Sequence, residues 1–115
     1  MSNIVSLHPY FKIKEGGAVA LKALCPELVQ MCDAEDKCLY YAFSFAGDSM
    51  FCREAYEGAQ GVFEHMDNVG EMLGKVFECA DLEKLEIHGP AAELAKLKEP
   101  LQDLNPTYYE IEFGI

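Results

Sequence analysis

Residues 38–66, CLYYAFSFAGDSMFCREAYEGAQGVFEHM, constrain the fold more than any other stretch of the chain. Leu39, Tyr41, Phe43 and Phe45 alternate with Tyr40, Ala42 and Ser44, and aromatic residues at this density suit a pleated surface buried on one face. Gly47-Asp48 then offers the positive φ that a two-residue hairpin loop needs at its first position, so the chain reverses into a second strand over 49–56 that Gly58 ends. Counting back from that loop sets Phe45 opposite Met50, Phe43 opposite Cys52, Tyr41 opposite Glu54 and Leu39 opposite Tyr56. Glu54 is thereby placed on the apolar face, where a carboxylate needs a partner or water, while its neighbour Arg53 points to the other side.

The rest of the chain supplies a sheet and helices for this hairpin to join. Residues 4–13 alternate Val5, Leu7, Phe11 and Ile13 with Ser6, His8, Tyr10 and Lys12, and Pro9 in the middle requires a sheet edge or a bulge. Gly16-Gly17 opens a helix with the stripe Leu21, Leu24, Cys25, Leu28, Met31 and Cys32, which Pro26 kinks or restarts and the polar run 33–37 closes. After the hairpin, Ala59, Val62, Phe63, Met66, Val69, Met72, Leu73, Val76 and Phe77 keep a helical period across two short helices or one interrupted helix, with the break at Asp67-Asn68 and Gly70. His65 falls at the border of that stripe. A short strand over 82–88, a helix opening at Pro90 with Leu94 and Leu97, and a last strand carrying Tyr109, Ile111 and Phe113 complete the chain.

The order β-α-β-β-α-β is the split β-α-β, ferredoxin-like plan of an α+β fold, a four-stranded antiparallel sheet with its helices on one face. The chain is one domain over 1–115, with a core at about 4–88 and an extension of a helix and a strand at about 89–115. Its open sheet face is rich in aromatic side chains, so a second subunit is expected to cover it, with the C-terminal strand free to cross to that partner. Nine basic against 20 acidic residues give a net charge of -11, which repels phosphate backbones and anionic lipid and excludes nucleic acid and membrane surfaces as partners. There is no apolar run of about 20 residues and no signal-peptide pattern, and the expected setting is the cytoplasm. Five cysteines with no Cys-x-x-Cys pair are read as reduced and structural.

The opening strand ending FKIKEG, the CLYY strand, the strand FCREAY and the helix ending FEHM resemble, in this order, the antibiotic biosynthesis monooxygenase-like family over about residues 4–87. The resemblance implies a dimeric α+β barrel and a quinol monooxygenase type of activity. It implies further that Glu54 is the family's strand acid and His65 its helix histidine, with Tyr56 where a tryptophan is usual and Asn68 and Val69 near the place of a second histidine. The chain has no tryptophan, which speaks against haem degradation.

Cofactor-free oxidation of a small phenol or quinol needs a base, an anchor for the oxyanion and an apolar chamber. His65 and Glu54 are the catalytic candidates, as base and as the acid that orients it. Tyr41 or Tyr40 is the anchor, Tyr56 a further substrate-binding side chain, and His8 and Tyr10 rival pocket groups. No zinc spacing links His8, His65, His88 and the cysteines, and no phosphate loop or serine nucleophile motif occurs, so no metal or cofactor is expected. The alternative is a non-catalytic barrel that binds a small molecule or serves as a stable dimer, and it predicts a dry or closed interior.

Overall fold

The computed structural model describes residues 2–115. Five strands, β1 (Ile4–Ile13), β2 (Cys38–Ala46), β3 (Ser49–Glu57), β4 (Ala80–Gly89) and β5 (Thr107–Glu110), form one sheet in the order β2-β3-β1-β4-β5. The helices are α1 (Ala18–Asp33), α2 (Gly58–Cys79) and α3 (Ala91–Leu97). The first four strands pair antiparallel, which is the ferredoxin-like plan. β5 extends the same sheet parallel to β4, with α3 as the crossover between them.

The hairpin follows the count from its loop. Gly47 has φ +60°, Ala46 pairs with Ser49, and the ladder runs through Phe45–Met50 and Phe43–Cys52 to Tyr41–Glu54. Beyond Tyr40 an irregularity absorbs Leu39, so Cys38, not Leu39, stands opposite Tyr56. Pro9 lies in a central strand, not at an edge. It pairs in register with Leu85 of β4, whereas the β1–β3 ladder is interrupted at His8 and Pro9; the one-residue slip of the β1–β4 register lies beyond it, between Tyr10 and Phe11, with Glu83 of β4 as the extra residue.

Two further expectations are corrected. α2 is one continuous helix of 22 residues, with no break at Asp67, Asn68 or Gly70. Val69 is fully buried and Asn68 uses its side chain across the helix pair, donating to the Met31 carbonyl at the end of α1. The last strand, expected over Tyr109, Ile111 and Phe113, ends at Glu110, and Ile111 makes only one further backbone bond, to Gly89, before the chain leaves the sheet.

The helices cover one sheet face. Val5, Leu7, Tyr56, Ala59, Val62, Ile87, Leu94 and Leu97 belong to one apolar cluster; Phe11, Leu21, Leu28, Met50, Val69 and Val76 belong to a second. His65 sits between Val62 and Val69 on α2, where the core divides. Its predicted place at the border of the stripe is thus also corrected: the ring is 3% exposed. α2 can lie close to β3 because Gly61 has no side chain, a Cβ there coming within 2.8 Å of the Tyr56 Cβ. Its first turn lacks a local cap and instead receives Glu93 from α3, whose Oε1 accepts the Ala59 N–H at 2.9 Å.

Candidate active site

The two polar side chains buried deepest among the described residues, Glu54 and His65, face each other across the sheet–helix interface. Strand alternation carries Met50, Cys52, Glu54 and Tyr56 to the inner face of β3, and α2 brings His65 over them. His65 Nε2 lies 3.4 Å from Glu54 Oε1, and the Tyr56 hydroxyl donates to that same oxygen at 2.7 Å. On its other side His65 Nδ1 meets Glu35 Oε2 at 3.0 Å, and Asn68 Nδ2 donates to this oxygen at 2.8 Å. The imidazole is therefore held between two carboxylates, each with its own side-chain donor. The Tyr56 and Tyr41 rings pack against it with centroids at 4.7 and 5.4 Å.

Burial pushes the Glu54 carboxyl above its ordinary range, although His65, the Tyr56 hydroxyl and the Cys52 thiol pull the other way. Burial and the charge of Glu54 likewise raise the Tyr56 hydroxyl, which therefore stays a donor. Tyr41 and Cys52 are raised by burial first of all, so both remain protonated. With Nδ1–H donating to Glu35, Nε2 presents its lone pair to Glu54, and a proton can pass between carboxyl and ring. A carboxyl and an imidazole thus stand side by side in a buried setting.

This pair opens on a cleft between sheet and helices lined by Leu28, Tyr41, Phe43, Met50, Leu73 and Phe77 among others. Its cavity volume is about 60 Å³, room for a few waters at roughly 10–15 Å³ each on this measure. Flexible methionines, Met50 and Met66, form part of the wall, and side chains of this kind let a cleft widen around a ligand.

Of the residues singled out in the sequence, the fold brings Glu54, His65, Tyr41 and Tyr56 together. Tyr40, His8 and Tyr10 lie on the opposite face of the sheet. There His8 packs against His88 at 4.7 Å and Phe51 at 6.1 Å, Tyr10 against Phe51 at 4.8 Å, and Tyr40 lies under the Arg53 guanidinium at 4.1 Å. They cannot reach the cleft through the backbone of the sheet. Glu35 is the site residue that sequence reading passed over. It sits in the polar run after α1, three residues beyond Cys32 of the apolar stripe.

Fold and site together define an α+β protein of ferredoxin-like plan with a buried carboxyl–imidazole pair beneath its sheet. Comparison with known proteins narrows the class. No family model and no curated protein matches the chain, but solved structures do. MupZ from Pseudomonas fluorescens is 38% identical, superposes with a TM-score of 0.95 and is matched over 100% of this chain and 90% of its own. Proteins that carry the name antibiotic biosynthesis monooxygenase, from Nitrosomonas europaea and Chloroflexus aurantiacus, share the fold. Their identities are 13% and 15% and their TM-scores 0.68 and 0.64; 79% and 76% of this chain is matched over 93% of each of theirs. The chain therefore belongs to one family with MupZ, and it shares its fold with the proteins that carry the antibiotic biosynthesis monooxygenase name.

Proposed function

We propose that the chain is a cofactor-free acid/base enzyme acting on a small, mainly apolar molecule that presents a hydroxyl or carbonyl oxygen to Glu54 and His65. The observation that carries this reading is the buried series Glu35–His65–Glu54–Tyr56 beside an otherwise apolar cleft. Glu35 orients the ring, His65 Nε2 takes or returns a proton, and Glu54 supplies one. Tyr41 lines the cleft and is the hydroxyl that would anchor a substrate oxygen.

In the finer version the substrate is a phenol or quinol and the second reactant is oxygen. Loss of the phenolic proton to His65 makes the ring electron-rich enough to react with oxygen. Oxygen bonds to a ring carbon that carries hydrogen; loss of that C–H proton as the O–O bond breaks leaves a carbonyl there and releases the other oxygen atom as water, so phenol plus O2 gives quinone plus water, the substrate supplies all four electrons and no external reductant is needed. The names of the fold relatives favour this version. A second reading, acid/base rearrangement without oxygen, is favoured by Glu54: a carboxyl whose burial pushes it above its ordinary range, 3.4 Å from an imidazole nitrogen, suits protonation of a substrate oxygen as readily as oxidation.

A panel of small phenols, hydroquinones and hydroxylated aliphatic compounds, followed with and without oxygen, separates these versions. One oxygen consumed per product supports the monooxygenase, and equal conversion under nitrogen supports the rearrangement. No conversion of any panel member under either atmosphere contradicts the enzyme. A homodimer is proposed alongside, supported by the ring cluster on the outer sheet face and by the exposed apolar tail residues Phe113 and Ile115. Sedimentation equilibrium should return twice the chain mass of 12.8 kDa; a monodisperse 12.8 kDa species at micromolar concentration contradicts it.

A further inference from the structure

Behind His65, on the side away from Glu54, three side chains of different chemistry converge. Cys32 Sγ lies 3.6 Å from His65 Nδ1, Glu35 Oε2 lies 3.0 Å from the same nitrogen, and one donor atom from each residue falls within 4.8 Å of the others. Cys32 and His65 are buried and the Glu35 side chain is 8% exposed. The second oxygen of that carboxylate, Oε1, is buried and has no hydrogen-bond partner among the described residues. A buried carboxylate oxygen with no donor is a position that a cation would satisfy.

We propose that Cys32, Glu35 and His65 form a binding site for a divalent cation of the zinc class, with His65 ligating through Nδ1. Bond lengths of about 2.3 Å to sulfur and 2.0 Å to nitrogen or oxygen put tetrahedral donors roughly 3.3–3.6 Å apart. The sulfur–nitrogen separation already has that value. The oxygen–nitrogen pair, now a hydrogen bond, opens by a few tenths of an ångström when the ion replaces its proton. Thiolate, imidazole and carboxylate together suit zinc or cobalt, whereas magnesium and calcium ask for oxygen alone. The surrounding shell is in place too: Nε2 points at Glu54, which Tyr56 holds, and Asn68 donates to Glu35.

Binding rearranges protons in a defined way. The Cys32 thiol gives its proton to solvent, and the imidazole, ligated at Nδ1, carries its remaining proton on Nε2, where it is donated to Glu54. Nε2 then has no lone pair for a substrate, so the ion switches the acid/base pair off. That consequence rests on the function proposed above; the binding itself does not.

The test is titration of cobalt(II) alone into the reduced, metal-free, full-length protein. A thiolate-to-cobalt charge-transfer band with tetrahedral d–d absorption, saturating at one equivalent, is expected. Cys32→Ser should abolish the charge-transfer band, and Glu35→Gln should weaken binding at least about tenfold. Absence of the band at micromolar cobalt, or a band undiminished in Cys32→Ser, overturns the proposal. If Cys32→Ser does not fold, undiminished affinity in Glu35→Gln overturns it alone. Zinc should stop turnover of the wild type and leave Cys32→Ser turning over. A Cys32-dependent cobalt band with turnover indifferent to zinc would keep the site and remove His65 from the reaction.

Discussion

Replacing His65 by Ala is expected to lower turnover by about 10²- to 10⁴-fold, the contribution of a positioned general base. The substitution also removes the partner of two buried carboxylates, so a fall in melting temperature will accompany it. Activity loss through unfolding must be separated from activity loss through chemistry. Leu97→Ala provides that separation, because Leu97 is fully buried in the cluster around α3 and does not line the cleft. It should destabilise by about 2–5 kcal/mol through loss of transfer energy and creation of a void, yet keep its turnover per folded molecule. A His65→Ala enzyme no slower than Leu97→Ala, each corrected for the folded fraction, would reduce His65 to a packing residue.

Glu54→Gln should have the second largest effect, in two measurements of different kind. Turnover falls by about 100-fold or more, because the amide keeps the shape of the carboxyl and cannot supply a proton. Stability moves the other way as pH rises. The folded-state pKa of Glu54 is raised above its value of 4.5 in the absence of burial. Its protonated form therefore favours folding below that value, and this contribution is lost as the pH climbs through the raised one. The melting temperature of Glu54→Gln minus that of the wild type should accordingly grow from the ordinary carboxyl range upward. A difference that stays flat between acid and neutral pH would mean that the carboxyl is not raised.

The hairpin was legible because its loop fixes everything upstream of it. Once Gly47 and Asp48 form the turn, alternation places Glu54 on the inner face with Tyr41 and Tyr56, and three of the four residues at the heart of the site follow. The count failed only where the chain stops alternating, at Leu39. His65 was harder to place because a helical stripe drawn through apolar residues treats a polar core residue as a gap. The same bias split α2 at Asp67-Asn68 and Gly70, whereas Asn68 is polar because it must reach Met31 and Glu35. Glu35 was invisible for a further reason. A carboxylate in a polar run beyond a helix is ordinary surface unless another helix lies over it, and that is a fact of tertiary packing. Likewise nothing local distinguishes a parallel β5 from a strand that leaves for a partner; the crossover through α3 decides it.

The three histidines are separated by the sheet, since His65 lies under it while His8 and His88 pack against each other on the opposite face. Ring-nitrogen resonances of all three can be followed by nuclear magnetic resonance while a small phenol is titrated into the labelled protein. A saturable shift of the His65 nitrogens is expected, with His8 and His88 unmoved, and loss of that response in Glu54→Gln. A response confined to His8 and His88, or a His65 signal indifferent to a phenol that the protein demonstrably binds, would contradict the proposed role of His65.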